Sequence, residues 1–131
     1  MQKKRFAAEI MSRRVITTSE DVLLTDVIEQ LLRYNVSCLP VVDNEGTLLG
    51  VITEYDVMNF ALSGEANRTT VGESMSRNLM TFAPTDDLET IVNTCTTKRL
   101  HRAPVVENGK LVGIISRRDI LREMLAIYRR V

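Results

Sequence analysis

The sequence predicts an α/β (α+β) fold made of two β-α-β-β-α repeats related by pseudo-twofold symmetry. Three observations predict it: the chain repeats itself, each copy has helical apolar spacing, and each copy has two apolar runs around a turn. Residues 9–56 align with residues 73–119 at an offset of 64, which becomes 63 because Glu45 has no counterpart. Each copy of such a repeat buries its apolar face on the other. We therefore expect a ligand cleft between the halves.

The repeat also sets the predicted domain organisation. Pro40-Val41-Val42 matches Pro104-Val105-Val106, and Asp56 matches Asp119. Neither half, at roughly 60 residues, would bury much surface alone. We predict one module over residues 1–131, with repeat one at 8–62, repeat two at 72–128 and a polar linker at 63–71.

Each repeat is predicted to begin with a strand and a helix. The apolar pairs Val15-Ile16 and Leu79-Met80 are the expected first strands. Polar runs at 18–21 and 84–87 then place acidic side chains near the positive end of a helix dipole. Apolar residues follow at i, i+3, i+4 and i+7, which predicts a helix. They are Leu24, Val27, Ile28 and Leu31 in repeat one, and Leu88, Ile91, Val92 and Cys95 in repeat two.

A β-hairpin and a closing helix complete each predicted repeat. The hairpin strands are 39–42 with 48–52, and 103–106 with 111–115. Asn108-Gly109 is a tight-turn signal, because both residues tolerate positive φ. The closing helices are expected to start near Asp56 and Asp119.

Composition excludes several functional classes. Lys plus Arg number 17 and Asp plus Glu number 17, so the formal net charge is zero. General nucleic-acid binding needs a surplus of cations, so we expect no nucleic-acid partner. No apolar run reaches the roughly 18–20 residues that span a bilayer, and no long apolar stretch follows the basic start at 1–6. We expect a cytoplasmic protein without a membrane partner.

The two cysteines, Cys38 and Cys95, predict neither a disulfide framework nor a metal site. Neither has a CxxC neighbour, and Cys95 falls at an apolar helical position, where a thiol acts as a small hydrophobe. The chain also lacks a nucleophile–base pair at known spacing and a P-loop. We expect no catalytic site, no metal and no tightly held cofactor.

These residues together resemble a tandem pair of cystathionine-β-synthase (CBS) domains. The resemblance rests on three pairs of segments: Ile10-Met11-Ser12 with Ser74-Met75-Ser76, residues 36–43 with 100–107, and residues 50–56 with 113–119. It implies two units packed sheet to sheet, often dimerising into a flat disc. It also implies a regulatory module that binds AMP, ADP, ATP or another adenosyl ligand, usually beside an enzyme, channel or transporter domain. No such domain accompanies this sequence, so a stand-alone module is expected.

The leading site candidates are Thr53-x-x-Asp56 and Ser116-x-x-Asp119. The resemblance implies that the carboxylate accepts both ribose hydroxyls and that the Thr or Ser hydroxyl binds ribose or phosphate. Helix N-terminal amides would add an anion site. The alternative is a capping box, in which the same residues only close a helix.

The two predicted sites are unequal. Arg117 could neutralise phosphate, whereas Glu54 at the matching place would repel it. His101-Arg102 is a second candidate phosphate clamp, and the matching Ser37-Cys38 is neutral. We therefore expect the stronger site around Ser116 and Asp119, with solvated surface arginines as the alternative.

The resemblance implies four more contacts. Val36 and Ser37 would offer backbone groups to an adenine edge, and Ile114 would pack on the ring. Thr17 and Thr81 would line the cleft. Each is equally compatible with an ordinary strand-end residue.

The sequence leaves three functions open. The first is an AMP, ADP or ATP sensor that signals to an unknown regulated protein. The second is a ligand-free dimeric scaffold, with Met58, Met124, Leu125, Ile127 and Tyr128 as candidate contacts. The third is a binder of S-adenosylmethionine, which lacks phosphates and leaves the basic residues unexplained.

Overall fold

A computed structural model describes residues 4–60 and 62–129 of the chain. The helices are α1 (Ala7–Ile10), α2 (Leu24–Tyr34), α3 (Glu54–Met58), α4 (Val71–Ser74), α5 (Leu88–Lys98) and α6 (Arg117–Arg129). The strands are β1 (Cys38–Val42), β2 (Leu48–Thr53), β3 (Arg102–Glu107) and β4 (Lys110–Ser116). Two compact units result. The first-repeat unit is Ile16–Leu79, and the second-repeat unit combines residues 4–15 with 80–129.

The long helix of each repeat lies where the apolar spacing predicts it. In α2 the predicted positions Leu24, Val27 and Leu31 are buried in the core of the first-repeat unit. In α5 the matching Ile91 is fully buried in the second-repeat unit. Both helices are 11 residues long, and the chain then turns through a left-handed residue into the hairpin.

The two helices begin differently. Leu23 caps α2 without a side-chain hydrogen bond, whereas the Asp87 carboxylate caps α5 by accepting from the Thr90 N–H at 2.9 Å. The Lys4 ammonium lies 3.2 Å from the same carboxylate. The hydrogen bonds from Thr90, followed by the contact with Lys4, lower the pKa of Asp87 from 3.8 to about 2.

Replacing Asp87 with leucine, the residue that repeat one holds at this cap, is expected to cost stability only where the carboxylate is ionised. The folded pKa of about 2 lies below the ordinary 3.8, so the ionised cap stabilises fully above about pH 4. This contribution is lost as the pH falls towards 2. Urea midpoints of the wild type and Asp87→Leu, measured from pH 6 to pH 2, should therefore converge. Asp21→Leu, an exposed carboxylate outside the cap, is the control. A pH-independent difference for Asp87→Leu would contradict the assignment.

Both predicted hairpins are confirmed, and each forms the centre of a unit. β1 pairs antiparallel with β2, and β3 pairs antiparallel with β4. Leu39, Val41 and Ile52 have no solvent exposure in the first-repeat core. The β3–β4 turn uses positive φ at Asn108 (53°) and Gly109 (79°), as its sequence predicts.

The predicted first strands at Val15-Ile16 and Leu79-Met80 are wrong. These residues are not in strands, and the chain beside each hairpin makes only one isolated parallel bridge. Thr18 bridges Val41 in one unit and Phe82 bridges Val105 in the other. One bridge supplies two backbone hydrogen bonds, too few for a continuous ladder. The bridged residues lie two positions beyond the predicted pairs.

The opposite edge of each hairpin pairs with the start of the other repeat. Ser12 exchanges two backbone hydrogen bonds of 2.9 Å with Ile114 in β4. Ser76 does the same with Val51 in β2, also at 2.9 Å. We call each of these pairing segments an arm. Each arm consists of a one-turn helix, α1 or α4, followed by a Met-Ser pair. The compact units therefore do not coincide with the sequence repeats, and the predicted repeat boundaries stay a prediction.

Candidate functional site

The hairpin end of the second-repeat unit brings several predicted residues together. Arg102 at the start of β3 lies directly opposite Ser116 at the end of β4. The Arg117 N–H donates to the His101 carbonyl at 3.0 Å, which holds the start of α6 against the α5–β3 connection. Two arginines, a histidine and a serine therefore meet at one end of a two-stranded sheet.

Ser116 and Asp119 form a reciprocal capping box at the start of α6. Asp119 Oδ2 accepts from the Ser116 N–H at 2.8 Å and from its hydroxyl at 3.0 Å. The Asp119 N–H donates back to Ser116 Oγ at 3.2 Å. Oδ1 accepts from the exposed Arg122 side chain at 3.0 Å. The capping alternative is thus realised, and it fixes the carboxylate in one orientation.

The first-repeat unit carries the same arrangement. Cys38 lies opposite Thr53, and the Glu54 N–H donates to the Ser37 carbonyl at 3.0 Å. Asp56 Oδ2 accepts from the Thr53 N–H at 2.8 Å and from its hydroxyl at 3.0 Å. Within residues 4–60 and 62–129, no group donates to Asp56 Oδ1.

The two hairpin ends differ in charge, as the sequence predicts. The exposed residue that follows the hydroxyl is Arg117 in one unit and Glu54 in the other. The residue opposite the hydroxyl is Arg102 in one unit and Cys38 in the other. Among the described residues, the hairpin end of the second-repeat unit therefore carries two arginines where that of the first-repeat unit carries a glutamate and a cysteine.

The remaining predicted residues lie apart from these clusters or beside them. Thr17 lines a polar groove of about 470 Å³ whose lining does not include Ser37, Thr53 or Asp56. Thr81 is exposed next to the Phe82 bridge, and Ile114 lies inside β4 against the Ser12 arm. Val36 is half-buried and packs on the first-repeat core. Their roles toward a ligand stay predictions.

Sequence reasoning missed one cation, Arg99. It ends α5 and lines a groove of about 810 Å³ together with His101, Arg117 and Arg118. Its counterpart in the aligned repeat is Asn35, a residue type favoured in the left-handed conformation, and that contrast was the available signal.

Other groups in the described part of the chain add little chemistry. Burial raises the pKa of the Cys95 thiol, which therefore stays protonated at neutral pH. Among the described residues, no three His, Cys, Asp or Glu side chains are grouped to hold a metal ion. In that same part of the chain, no helix has the length and apolar character to cross a bilayer.

Each of the two units has a hairpin followed by a helix that starts with the hydroxyl-x-x-Asp pattern. This doubled arrangement defines a tandem module. The CBS domain family matches residues 7–63 and 71–126, so this chain belongs to the CBS domain family as a CBS pair. The resemblance inferred from the sequence is confirmed.

Solved structures agree with this assignment. The CBS-pair protein CBSX2 from Arabidopsis thaliana is 26% identical with a TM-score of 0.89, covering 97% of this chain and 99% of that chain. CBSX2 in complex with AMP is 26% identical with a TM-score of 0.86, covering 95% of this chain and 98% of that chain. The CBS domain pair of protein MJ0100 was solved in complex with 5-methylthioadenosine and S-adenosyl-L-methionine. It is 27% identical with a TM-score of 0.81, covering 95% of this chain and 99% of that chain. The predicted fold class is confirmed.

A sequence relative of known name is the 5'-AMP-activated protein kinase subunit gamma of Saccharomyces cerevisiae. It is 35% identical over 109 residues, which cover 76% of this chain and 34% of that subunit. This chain spans only 22% to 41% of the length of the first curated relatives it matches.

Proposed function

We propose that this CBS pair is a non-catalytic regulatory module that binds an adenine nucleotide through its second-repeat unit. The observation that carries the proposal is the meeting of Arg102, Ser116, Arg117 and Asp119 at one hairpin end. Relatives support the ligand class. CBSX2 has been solved in complex with AMP, and MJ0100 in complex with two adenosyl compounds.

The geometry suits a ribose phosphate. The cap occupies Asp119 Oδ2, while Arg122 alone among the described residues holds Oδ1, and the Arg122 side chain is 71% exposed and can move away. A ribose hydroxyl can therefore take Oδ1 without breaking the helix start. Arg102 and Arg117 have planar guanidinium groups that match phosphate oxygens.

The first-repeat unit would then be the weaker site. Its Asp56 is oriented like Asp119, but Glu54 would place a negative charge beside any phosphate. A phosphate-free adenosyl ligand escapes this repulsion, so S-adenosylmethionine is the reasonable second ligand for Thr53 and Asp56.

Signalling follows if the ligand prefers one conformation. A ligand shifts an equilibrium only by its difference in affinity for the two states. We infer that a homodimer in the cytoplasm presents the ligand-bound conformation to a regulated partner protein. The AMP-activated kinase gamma subunit among the relatives supports a nucleotide-responsive role.

Thermal unfolding with AMP, ADP, ATP and S-adenosylmethionine, each at millimolar concentration, tests the proposal. A ligand at about 100 times its Kd stabilises the folded state by roughly 2.7 kcal/mol, a Tm rise of several degrees. Arg117→Glu, which copies Glu54, should abolish the nucleotide shift. The reciprocal Glu54→Arg should retain or increase it. A nucleotide shift that Arg117→Glu leaves intact would move the site away from this hairpin end.

The second candidate function is a ligand-free interaction scaffold. Exposed apolar side chains favour it: Leu121, Leu125 and Tyr128 on α6 are 58%, 52% and 73% exposed. Residues 121, 125 and 128 lie at i, i+4 and i+7, so they share one helix face. The scaffold predicts no thermal shift with any nucleotide, together with a dimeric mass that is insensitive to them.

A further inference from the structure

Charge is distributed very unevenly between the two compact units. The first-repeat unit, Ile16–Leu79, holds ten Asp and Glu residues against three arginines and no lysine, a formal charge of −7. The rest of the chain, residues 1–15 and 80–131, holds fourteen Lys and Arg residues against seven Asp and Glu, a formal charge of +7. The zero net charge of the chain is therefore the sum of two strongly charged parts of opposite sign. Opposite potentials of this kind steer association and orient partners.

The first-repeat unit exposes apolar side chains on α2 and α3, and we call this surface the acidic face. Ile28 and Leu32 lie one turn apart on α2, and Tyr55 and Met58 lie one turn apart on α3. Leu32, Tyr55 and Met58 are 77%, 77% and 63% exposed. Ile28 and Met58 line one groove of about 510 Å³, so the two helices present these side chains on a common surface. The same helices carry two Asp and two Glu residues against one Arg.

The second-repeat unit exposes a matching apolar surface on α6, which we call the basic face. Leu121 and Met124 line the groove between α5 and α6, and Leu125 and Tyr128 continue the same side of α6. The helices α5 and α6 carry five Lys and Arg residues against one Asp and two Glu. The two faces are therefore alike in apolar character and opposite in charge.

An exposed apolar patch with charged residues around it marks an interaction surface, and Met and Tyr are enriched in such surfaces. We propose that the partner is a second copy of this chain, bound so that the acidic face of each copy meets the basic face of the other. Pairing of like faces would instead bring Arg117 and Arg118 against their equivalents, and like charges across an interface oppose association. The inference rests on the homodimer proposed above and adds which faces join.

Sedimentation equilibrium of the wild type across a salt series tests the charge argument. The dissociation constant of the dimer should rise at least about tenfold between roughly 0.05 and 0.5 M NaCl, because salt screens the attraction between opposite faces. Pairing of like faces predicts the opposite sign, since salt would then screen a repulsion. A dissociation constant that falls with salt, or does not change, would overturn the inference.

Met58→Cys and Leu121→Cys, made in separate chains, test which faces meet. The two residues occupy matching places in the repeats and are 63% and 58% exposed, so both variants are expected to fold, which circular dichroism checks. The variants are mixed and allowed to exchange subunits, and a short bis-maleimide reagent should then cross-link mixed dimers, identified by a tag on one variant. Each variant alone should give no more cross-linked dimer than the wild type, which controls for Cys38 and Cys95.

The outcomes separate this inference from the proposed function. Cross-linking of each variant with itself, and not with the other, would show that like faces pair, which overturns the inference and leaves the homodimer in place. A dimer that no sample cross-links would place the contact on other surfaces and also overturn it. A monomeric mass at every concentration would overturn both the inference and the proposed homodimer. The nucleotide site is judged separately, by the thermal shift.

Discussion

Replacing Asp119 with alanine is expected to weaken nucleotide binding by at least about tenfold, which corresponds to about 1.4 kcal/mol. The substitution removes the carboxylate oxygen Oδ1 that we assign to a ribose hydroxyl. It also removes the acceptor that orients Ser116, whose hydroxyl donates to Oδ2 at 3.0 Å. Titration of wild type and variant with the nucleotide that gives the largest thermal shift measures the loss.

The same substitution breaks a helix cap, so its effect on binding must be separated from its effect on stability. Loss of a cap costs about 0.5–2 kcal/mol. Asp56→Ala is the matched control, because Asp56 forms the same reciprocal bonds with Thr53. Both variants should lose comparable stability, and only Asp119→Ala should lose nucleotide affinity. Equal losses of affinity would show that the second-repeat unit is not the stronger site.

Replacing Gly50 with alanine is expected to destabilise the protein by about 1–3 kcal/mol, the usual cost of overpacking. The backbone of Gly50 does not have positive φ, so its conformation accepts alanine. The added methyl would clash with the Ser76 carbonyl oxygen and come within 2.9 Å of Met75 Cε. The carbonyl cannot yield easily, because Ser76 is held by two backbone hydrogen bonds to Val51.

Gly113→Ala provides a graded comparison. Its methyl would meet Met11 Cγ at 2.8 Å and the Ser12 carbonyl at 3.0 Å, and the flexible methionine can move aside. We expect Gly50→Ala to cost more than Gly113→Ala in denaturant unfolding. Gly64→Ala, where nothing lies within 4 Å but φ is +71°, measures the cost of conformational strain alone. If Gly50→Ala were as stable as wild type, the arm would not be packed on β2.

Apolar periodicity predicted α2, α5 and both hairpins, because these elements bury one face or alternate residues in a local core. The one-turn helices α1 and α4 were missed, since four residues carry no period. The pairing of Ser12 with β4 was also not predictable, because alignment of the repeats shows which segments are alike and not which ones touch.

The candidate site was predictable in part for the same reason. Ser116-x-x-Asp119 is a local pattern with a local bond network, so the sequence predicts its geometry. Arg99 was missed because its left-handed backbone, and its place in the groove with Arg117, depend on how α5 ends. Comparison with Asn35 would have indicated that one repeat tolerates a less favourable residue there.

The exchange of arms between repeats also orders events during synthesis. The first-repeat unit is one continuous segment, Ile16–Leu79, so a nascent chain holds all of it once residue 79 has emerged. The second-repeat unit needs residues 4–15 together with 80–129. Ala7, fully buried in that unit, therefore has no core to enter until residues 80–129 have been synthesised. The two halves, although alike in sequence, must mature one after the other.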